Sequence, residues 1–221
     1  MTRQKFPNIR ELLSGGCVLL DIPVSDSAIS KMIIYLELLM YWNTKVNLTS
    51  ISDPEAIAVA HFLDSLTVFK VWPLNSKAHI LDLGSGAGFP GLVLRIVDDS
   101  LSVTLVDKNP KRIVFLKMLA KELGLSSISF VNLEFKEFFK NFSSQKFDVV
   151  SFRALPKKTL KFLDIGKVLR PSGYLIKMFS KLPKNHLTHI ENYKEVQCWT
   201  GVLPYLGLDR SVVLYQAGDQ L

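Results

Sequence analysis

With 221 residues, 48% hydrophobic and 21% charged, the chain has the size and composition of one large folded domain, or of one domain with a small appended cap. Its apolar content, 14 phenylalanines included, excludes a disordered tail. The 27 Lys and Arg outnumber 20 Asp and Glu for a formal charge of +7, a weak pointer to a polyanionic partner that needs a site to support it.

Two cysteines, Cys17 and Cys198, lack His or Cys companions at ligand spacing, so no disulfide framework and no metal site is expected. They read as small buried apolar side chains. The opening segment has no signal-peptide core, and the longest apolar stretch, 32–42, is broken by Glu37 and falls well short of the ~20 residues of a membrane span. A soluble, cytoplasmic chain without membrane contact is expected.

Residues 1–75 read as an all-helical cap. Ile29, Met32, Ile33, Leu36, Leu39 and Met40 recur at spacings of three and four behind a Ser25/Asp26 start. A second helix is announced by SDPEAIAVAHFLDSLTVF, where Ser52 or Asp53 can cap, Pro54 fits the first turn and Glu55 favours the dipole.

From His79 the pattern changes, and residues 76–221 read as one compact core. HILDL, SVTLVD, ISFVNL, FDVVSF and GYLIKMF have the length and near-continuous hydrophobicity of parallel strands buried on both faces. Between the second and third, NPKRIVFLKMLAKELG predicts a helix with Asn109 as cap, Pro110 at the first position and Gly124 as terminator. The alternation predicts a doubly wound α/β sheet. EVQCWTGVL and SVVLYQAG follow, separated by PYLGLDR, as an antiparallel hairpin at the sheet edge. A mostly parallel sheet ending this way resembles the seven-stranded fold of S-adenosylmethionine (SAM) methyltransferases.

After the first strand, Asp82-Leu-Gly84-Ser-Gly86-Ala-Gly88-Phe89-Pro-Gly91 combines D-x-G-x-G with G-x-G-x-x-G. Glycines there let the chain turn tightly and let a ligand approach bare backbone at a helix N-terminus. A ribose needs a carboxylate about 20 residues on, and Asp107 lies 21 positions after Gly86. NAD and SAM both satisfy this spacing, as does a glycine turn with no ligand. Three features favour SAM. Asp82 would repel a pyrophosphate but suits the ammonium or water network at the methionine end. Some 80 residues precede the loop, whereas dinucleotide folds open near the domain start. The one Tyr-x-x-x-Lys, Tyr41 to Lys45, lies upstream of the loop.

Further residues carry a family resemblance. Trp42-Asn43-x3-Asn47-Leu48-Thr49-Ser50-Ile51, His61-Phe-Leu-Asp64-Ser65-Leu66, the Asp82–Gly91 run, Asp107 with Lys111-Arg112-x2-Phe115-Leu116, and Arg153-Ala154 occur in the order and spacing of the ribosomal RNA small subunit methyltransferase G (GidB) family. The chain resembles that family over roughly residues 25 to 216. The resemblance implies methyl transfer from SAM to N7 of a guanine in 16S ribosomal RNA. It implies 16S rRNA or the small subunit as partner, and a monomer is expected. It also implies cofactor contacts at Gly84, Gly86, Gly88, Phe89, Asp107, Phe135, Lys136 and Arg153. Where the family carries Arg-Ala-Glu, this chain has Glu134-Phe135-Lys136, so contacts through the amides of Phe135 and Lys136 are the ones that survive. Two further departures are Lys177-Met178 in place of Lys-Gly and Gln216 in place of a lysine.

Guanine N7 carries a free lone pair, so the reaction needs positioning rather than a strong base. No Pro-Cys nucleophile or Asn/Asp-Pro-Pro-aromatic run appears. Asp64, Trp42, Tyr41 and Phe89 are candidates to support the positive charge formed, no catalytic residue is assigned, and His61 reads as structural. Lys108, Lys111, Arg112, Arg153, Lys157, Lys158, Lys177, Lys181 and Lys184 follow strand ends on the carboxyl side and are expected to grip RNA phosphates. Two alternatives stay open: a ribosome-associated factor of the same fold without catalysis, and a methyltransferase of proteins or small molecules.

Overall fold

The structure, a computed structural model, describes residues 8–73, 77–142, 144–153, 164–183 and 193–218. Ala154, Lys157, Lys158 and Lys184 lie outside the described residues.

Two helices of the cap begin where the sequence places them. Ser25 accepts the Ala28 N–H ahead of α2 (Asp26–Asn43), and Asp53 accepts the Ala56 N–H ahead of α3 (Pro54–Ile57). The second helix is less regular than its pattern suggests. After α3 it widens into a π-helical stretch, Ala58–Leu63, then closes through α4 (Asp64–Leu66) and a 3-10 turn, Thr67–Lys70. Another helix, α1 (Ile9–Leu19), precedes them.

Strands β1 (His79–Leu83), β2 (Ser102–Val106), β3 (Ile128–Val131), β4 (Phe147–Arg153) and β5 (Leu169–Phe179) run parallel to one another. The hairpin of β6 (Tyr193–Leu203) and β7 (Leu208–Ala217) closes the sheet, with β7 antiparallel to β5. The order is β3-β2-β1-β4-β5-β7-β6. Strand order reverses between β1 and β4, the point where open α/β sheets form a crevice at their carboxyl ends. Helices α5 (Gly91–Val97), α6 (Pro110–Glu122) and α7 (Phe135–Asn141) follow β1, β2 and β3. Asn109 accepts the Lys111 N–H at the start of α6, and Gly124 ends that helix in the left-handed region.

Burial departs from expectation at the β3 edge. β1, β2 and β4 are buried almost throughout, whereas β3 and β6 keep partly exposed faces. The apolar runs of edge strands therefore cover one side only. Cys17 is buried as expected, but Cys198, on β6, is exposed.

One hydrophobic cluster runs from Ile9 and Leu13 through Met32, Tyr35, Phe62 and Phe89 to Leu116 and Leu214, joining cap and sheet. A second cluster, with Leu81, Phe138, Phe147, Val150 and Tyr215, lies apart from it. Among the described residues, no helix is long and apolar enough to cross a membrane. A cavity of about 310 Å³ beside Trp72, Asp148, Arg170 and Tyr174 opens at the amino ends of the parallel strands, away from the glycine loop.

Candidate functional site

The loop after β1 folds back on β2: the N–H groups of Gly84 and Ser85 both donate to the Val106 carbonyl. Its glycines serve different ends. Gly86 has φ +57°, and a Cβ there would meet nothing nearer than the Gly84 carbonyl at 3.8 Å. Its backbone is therefore bare toward open space. A Cβ at Gly88 would lie 2.5 Å from the Tyr35 hydroxyl, and one at Gly91 2.7 Å from Asp82 Oδ2. Those two glycines permit close packing, Gly88 against the cap and Gly91 against β1.

Asp82 also has a different part from the one expected. It is 1% exposed, accepts the Gly91 N–H at 3.0 Å and the Ser151 hydroxyl at 3.3 Å, and ties the start of α5 to β1 and β4. Burial raises its pKa to about 6. Such a carboxylate organises the loop and does not face an ammonium group.

Asp107, directly after β2, is nearly buried. Its Oδ2 accepts the Gly86 N–H at 2.9 Å, and its Oδ1 accepts the Asn109 N–H at 2.8 Å. The acid and the open glycine are thus joined directly. Two neighbours bear on it. Asn132, which the sequence reading passed over, donates to the Asp107 carbonyl at 2.9 Å, and Arg112 Nη1 lies 3.3 Å from Oδ2. Arg112 was expected on the RNA-facing rim; it turns inward, while Lys111 stays exposed.

Across from Asp107, Glu134 precedes α7 without capping it and pairs with Lys108 at 3.2 Å. Phe135 and Lys136 open that helix, Phe135 half-buried against the second cluster and Lys136 exposed. As first-turn residues, their N–H groups lie outside the intrahelical ladder. Gln216 reaches Tyr174, midway along β5, rather than the loop.

The cap holds the other side of the loop. Tyr35 donates its hydroxyl to the Ala87 carbonyl and stacks on Phe89 with ring centroids 5.1 Å apart. His61 stacks on Phe89 at 4.8 Å, so Phe89, 5% exposed, is enclosed by rings and unavailable as a platform for a base. Arg153, at the end of β4, donates to Asp64 Oδ2 at 2.9 Å and to the Ala60 carbonyl at 3.3 Å, with its guanidinium 5.5 Å from the Phe89 ring. Arg210 donates to Asp64 Oδ1 at 2.9 Å. Asp64, offered by the sequence as a support for ring charge, is instead the shared anion of two arginines. Trp42 packs on Phe115, and exposed Tyr41 accepts a hydrogen bond from Lys45. Asn43 shapes the following loop, accepting from the Leu48 and Thr49 N–H groups.

Both ring nitrogens of His61 are engaged: Nδ1 lies 3.2 Å from Arg153 Nη2 and Nε2 lies 2.7 Å from Thr49 Oγ1. Nδ1 also lies 3.1 Å from the Ala60 carbonyl, and because a guanidinium can only donate, the Arg153 contact calls for a neutral ring. Burial, and secondarily Arg153, lowers its pKa to about 4. In the unfolded chain the ring protonates nearer its ordinary value of 6.5, so this residue lowers stability as pH falls from about 6.5 to 4. His61→Gln is expected to remove that dependence. Urea unfolding across this window should show the variant gaining on the parent as pH drops, by at most about tenfold in the folding constant per pH unit. A difference independent of pH would mean the buried ring is not the titrating group.

A family model described as rRNA small subunit methyltransferase G matches residues 28–198. The chain belongs to this family. Two curated relatives named ribosomal RNA small subunit methyltransferase G illustrate the likeness. The protein from Staphylococcus haemolyticus is 42% identical over 63% of this chain and 58% of its own length. The one from Streptococcus pyogenes is 37% identical over 72% of this chain and 76% of its own length. The chain spans between 51% and 59% of the length of the first three relatives it matches. Solved structures support the fold. TrmN from Thermus thermophilus superposes with a TM-score of 0.57 at 16% identity, over 70% of this chain and 48% of that one. A SAM-dependent methyltransferase from Aquifex aeolicus gives 0.53 at 16% identity, over 77% of this chain and 97% of that one. The sheet is the α/β methyltransferase sheet that the strand pattern predicts.

Proposed function

We propose that the chain methylates N7 of a guanine in 16S ribosomal RNA with S-adenosylmethionine as donor, acting on free RNA or on the small subunit. The observation that supports this most is the contact between Asp107 and Gly86: a nearly buried acid bonded to a glycine whose side-chain position faces open space. A carboxylate offers about four acceptor positions; Gly86, Asn109 and Arg112 fill three of those on Asp107. One is left for a ribose hydroxyl. The donor set therefore fits an adenosyl cofactor, which when bound supplies an electrophilic methyl group.

The remaining tasks fall to this chain's own residues. Asp107 holds the ribose, Gly84 and Gly86 admit the cofactor to the backbone, and the Phe135 and Lys136 amides donate to the adenine edge. Gly88, Phe89 and Arg153 act by holding the loop against the cap. Guanine N7 needs no deprotonation, which suits a site whose histidine is neutral and hydrogen-bonded at both nitrogens. Holding N7 in line at near-attack distance is a positioning effect worth roughly 7 to 11 kcal/mol. The exposed Lys111 and Lys181 supply phosphate contacts on the same side of the sheet.

The direct test is incorporation of a labelled methyl group into unmethylated 16S rRNA, with the position mapped by mass. NADH binding without SAM binding would overturn the reading. Asp107→Ala is expected to weaken SAM binding by roughly 1 to 3 kcal/mol through loss of the ribose hydrogen bond. An unchanged dissociation constant in calorimetry would mean that the ribose is held elsewhere.

A further inference from the structure

Arg112 occupies the third position of α6. A cation in the first turn of a helix opposes the macrodipole, and a surface lysine or arginine there gains by turning outward to water, as Lys111 does. Arg112 turns in. Its side chain is 33% exposed, its Nη1 lies 3.3 Å from Asp107 Oδ2, and its Nε is buried without a hydrogen-bond partner among the described residues. A buried donor left unpaired is costly. The placement is thus poor for the helix, for the side chain and for a role in gripping phosphates, and the group it serves is Asp107. Oδ2 is the same oxygen that receives the Gly86 N–H, so Arg112 and Gly86 restrain one oxygen from two sides.

We propose that Arg112 is a positioning residue for the cofactor acid: it fixes the Asp107 carboxylate toward the ribose, and it does not belong to the RNA-binding rim. This rests on the cofactor reading of Asp107 given above. The consequence is a division of labour between adjacent residues, with Lys111 facing RNA and Arg112 facing the cofactor site.

The test is calorimetric titration of the purified chain with S-adenosylhomocysteine, a stable adenosyl probe, together with RNA binding as a function of salt. Arg112→Ala is expected to weaken the probe on the order of tenfold, Arg112→Lys less, and Lys111→Ala by less than about twofold, in keeping with a charge-assisted contact acting through one carboxylate. In an Asp107→Ala background, Arg112→Ala should add nothing, because residues that act through one another are not additive. The salt slope of RNA binding should fall for Lys111→Ala and stay unchanged for Arg112→Ala. Thermal melting of the unliganded variants checks that each is folded, and Arg112→Lys carries the test should Arg112→Ala fail to fold. Parent-like probe binding by Arg112→Ala, with Asp107→Ala weakened, overturns the role of Arg112 alone. So does an equal loss in both backgrounds, or a flattened salt slope. Failure of the parent chain to bind the probe overturns the cofactor reading and this inference with it.

Discussion

Replacing Asp64 by alanine is expected to destabilise the fold by about 3 to 5 kcal/mol, the usual cost of removing one partner from a buried charge cluster. Each carboxylate oxygen takes one guanidinium, Oδ2 from Arg153 and Oδ1 from Arg210, both at 2.9 Å. The side chain is only 4% exposed and the two arginines 19% and 17%, so water cannot replace the lost anion. Without it, two partly buried cations face each other across the end of the sheet. Asp64 belongs to the cap, Arg153 to β4 and Arg210 to β7, so the residue also ties three segments together. Arg153 in turn holds His61 and covers Phe89 in the glycine loop. Urea unfolding of Asp64→Ala should therefore show a large drop in midpoint, and Asp64→Asn a smaller one, because an amide keeps one acceptor oxygen. A loss below about 1 kcal/mol, the range of exposed pairs, would mean that the arginines find other partners.

That cluster marks the limit of what the sequence discloses. The sequence assigns Arg153 to the cofactor and to RNA phosphates, but its partner Asp64 lies 89 residues away and Arg210 lies 146 away from Asp64, a juxtaposition that no local spacing encodes. Local chemistry was readable: the caps Ser25, Asp53 and Asn109 each accept the N–H that helix-start rules assign them. The parallel strands were readable too, because continuous apolar runs have few other homes. Apolarity alone does not distinguish a central strand from an edge, which is why β3 is less buried than its apolar run predicts and Cys198 is exposed. Helix α1 does carry a start signal, Asn8 with Glu11 three residues on, although the Asn8 side chain makes no cap hydrogen bond. Its Gly15 and Gly16 hide the pattern; a Cβ at Gly16 would collide with Leu63, so this glycine reflects packing on another helix. In the candidate site, Gly86 and Asp107 were legible from their spacing. The inward turn of Arg112 was not, because a lysine and an arginine side by side at a helix start look alike until burial separates them.

Gly88→Ala carries a comparable expected cost, roughly 3 to 5 kcal/mol, for reasons a motif cannot convey. Gly88 has φ +105°, a region that L side chains rarely adopt, and strain of this kind is worth about 1 to 3 kcal/mol. Overpacking adds a similar amount: the new methyl would lie 2.5 Å from the Tyr35 hydroxyl and 2.8 Å from Leu116 Cδ2. Neither neighbour yields easily. The Tyr35 hydroxyl is bonded to the adjoining Ala87 carbonyl, its ring stacks on Phe89, and Leu116 is fully buried. Tyr35→Phe separates the two contributions. Alone it costs about 1 to 3 kcal/mol, because it strands the Ala87 carbonyl. It also removes the nearest atom that the Gly88 methyl would strike, so Gly88→Ala should cost less in the Tyr35→Phe background than in the parent. Strictly additive losses in urea unfolding would show that backbone strain alone sets the penalty. A penalty under 1 kcal/mol in the parent would show that the loop rearranges freely, and the cap would then not be holding it in place.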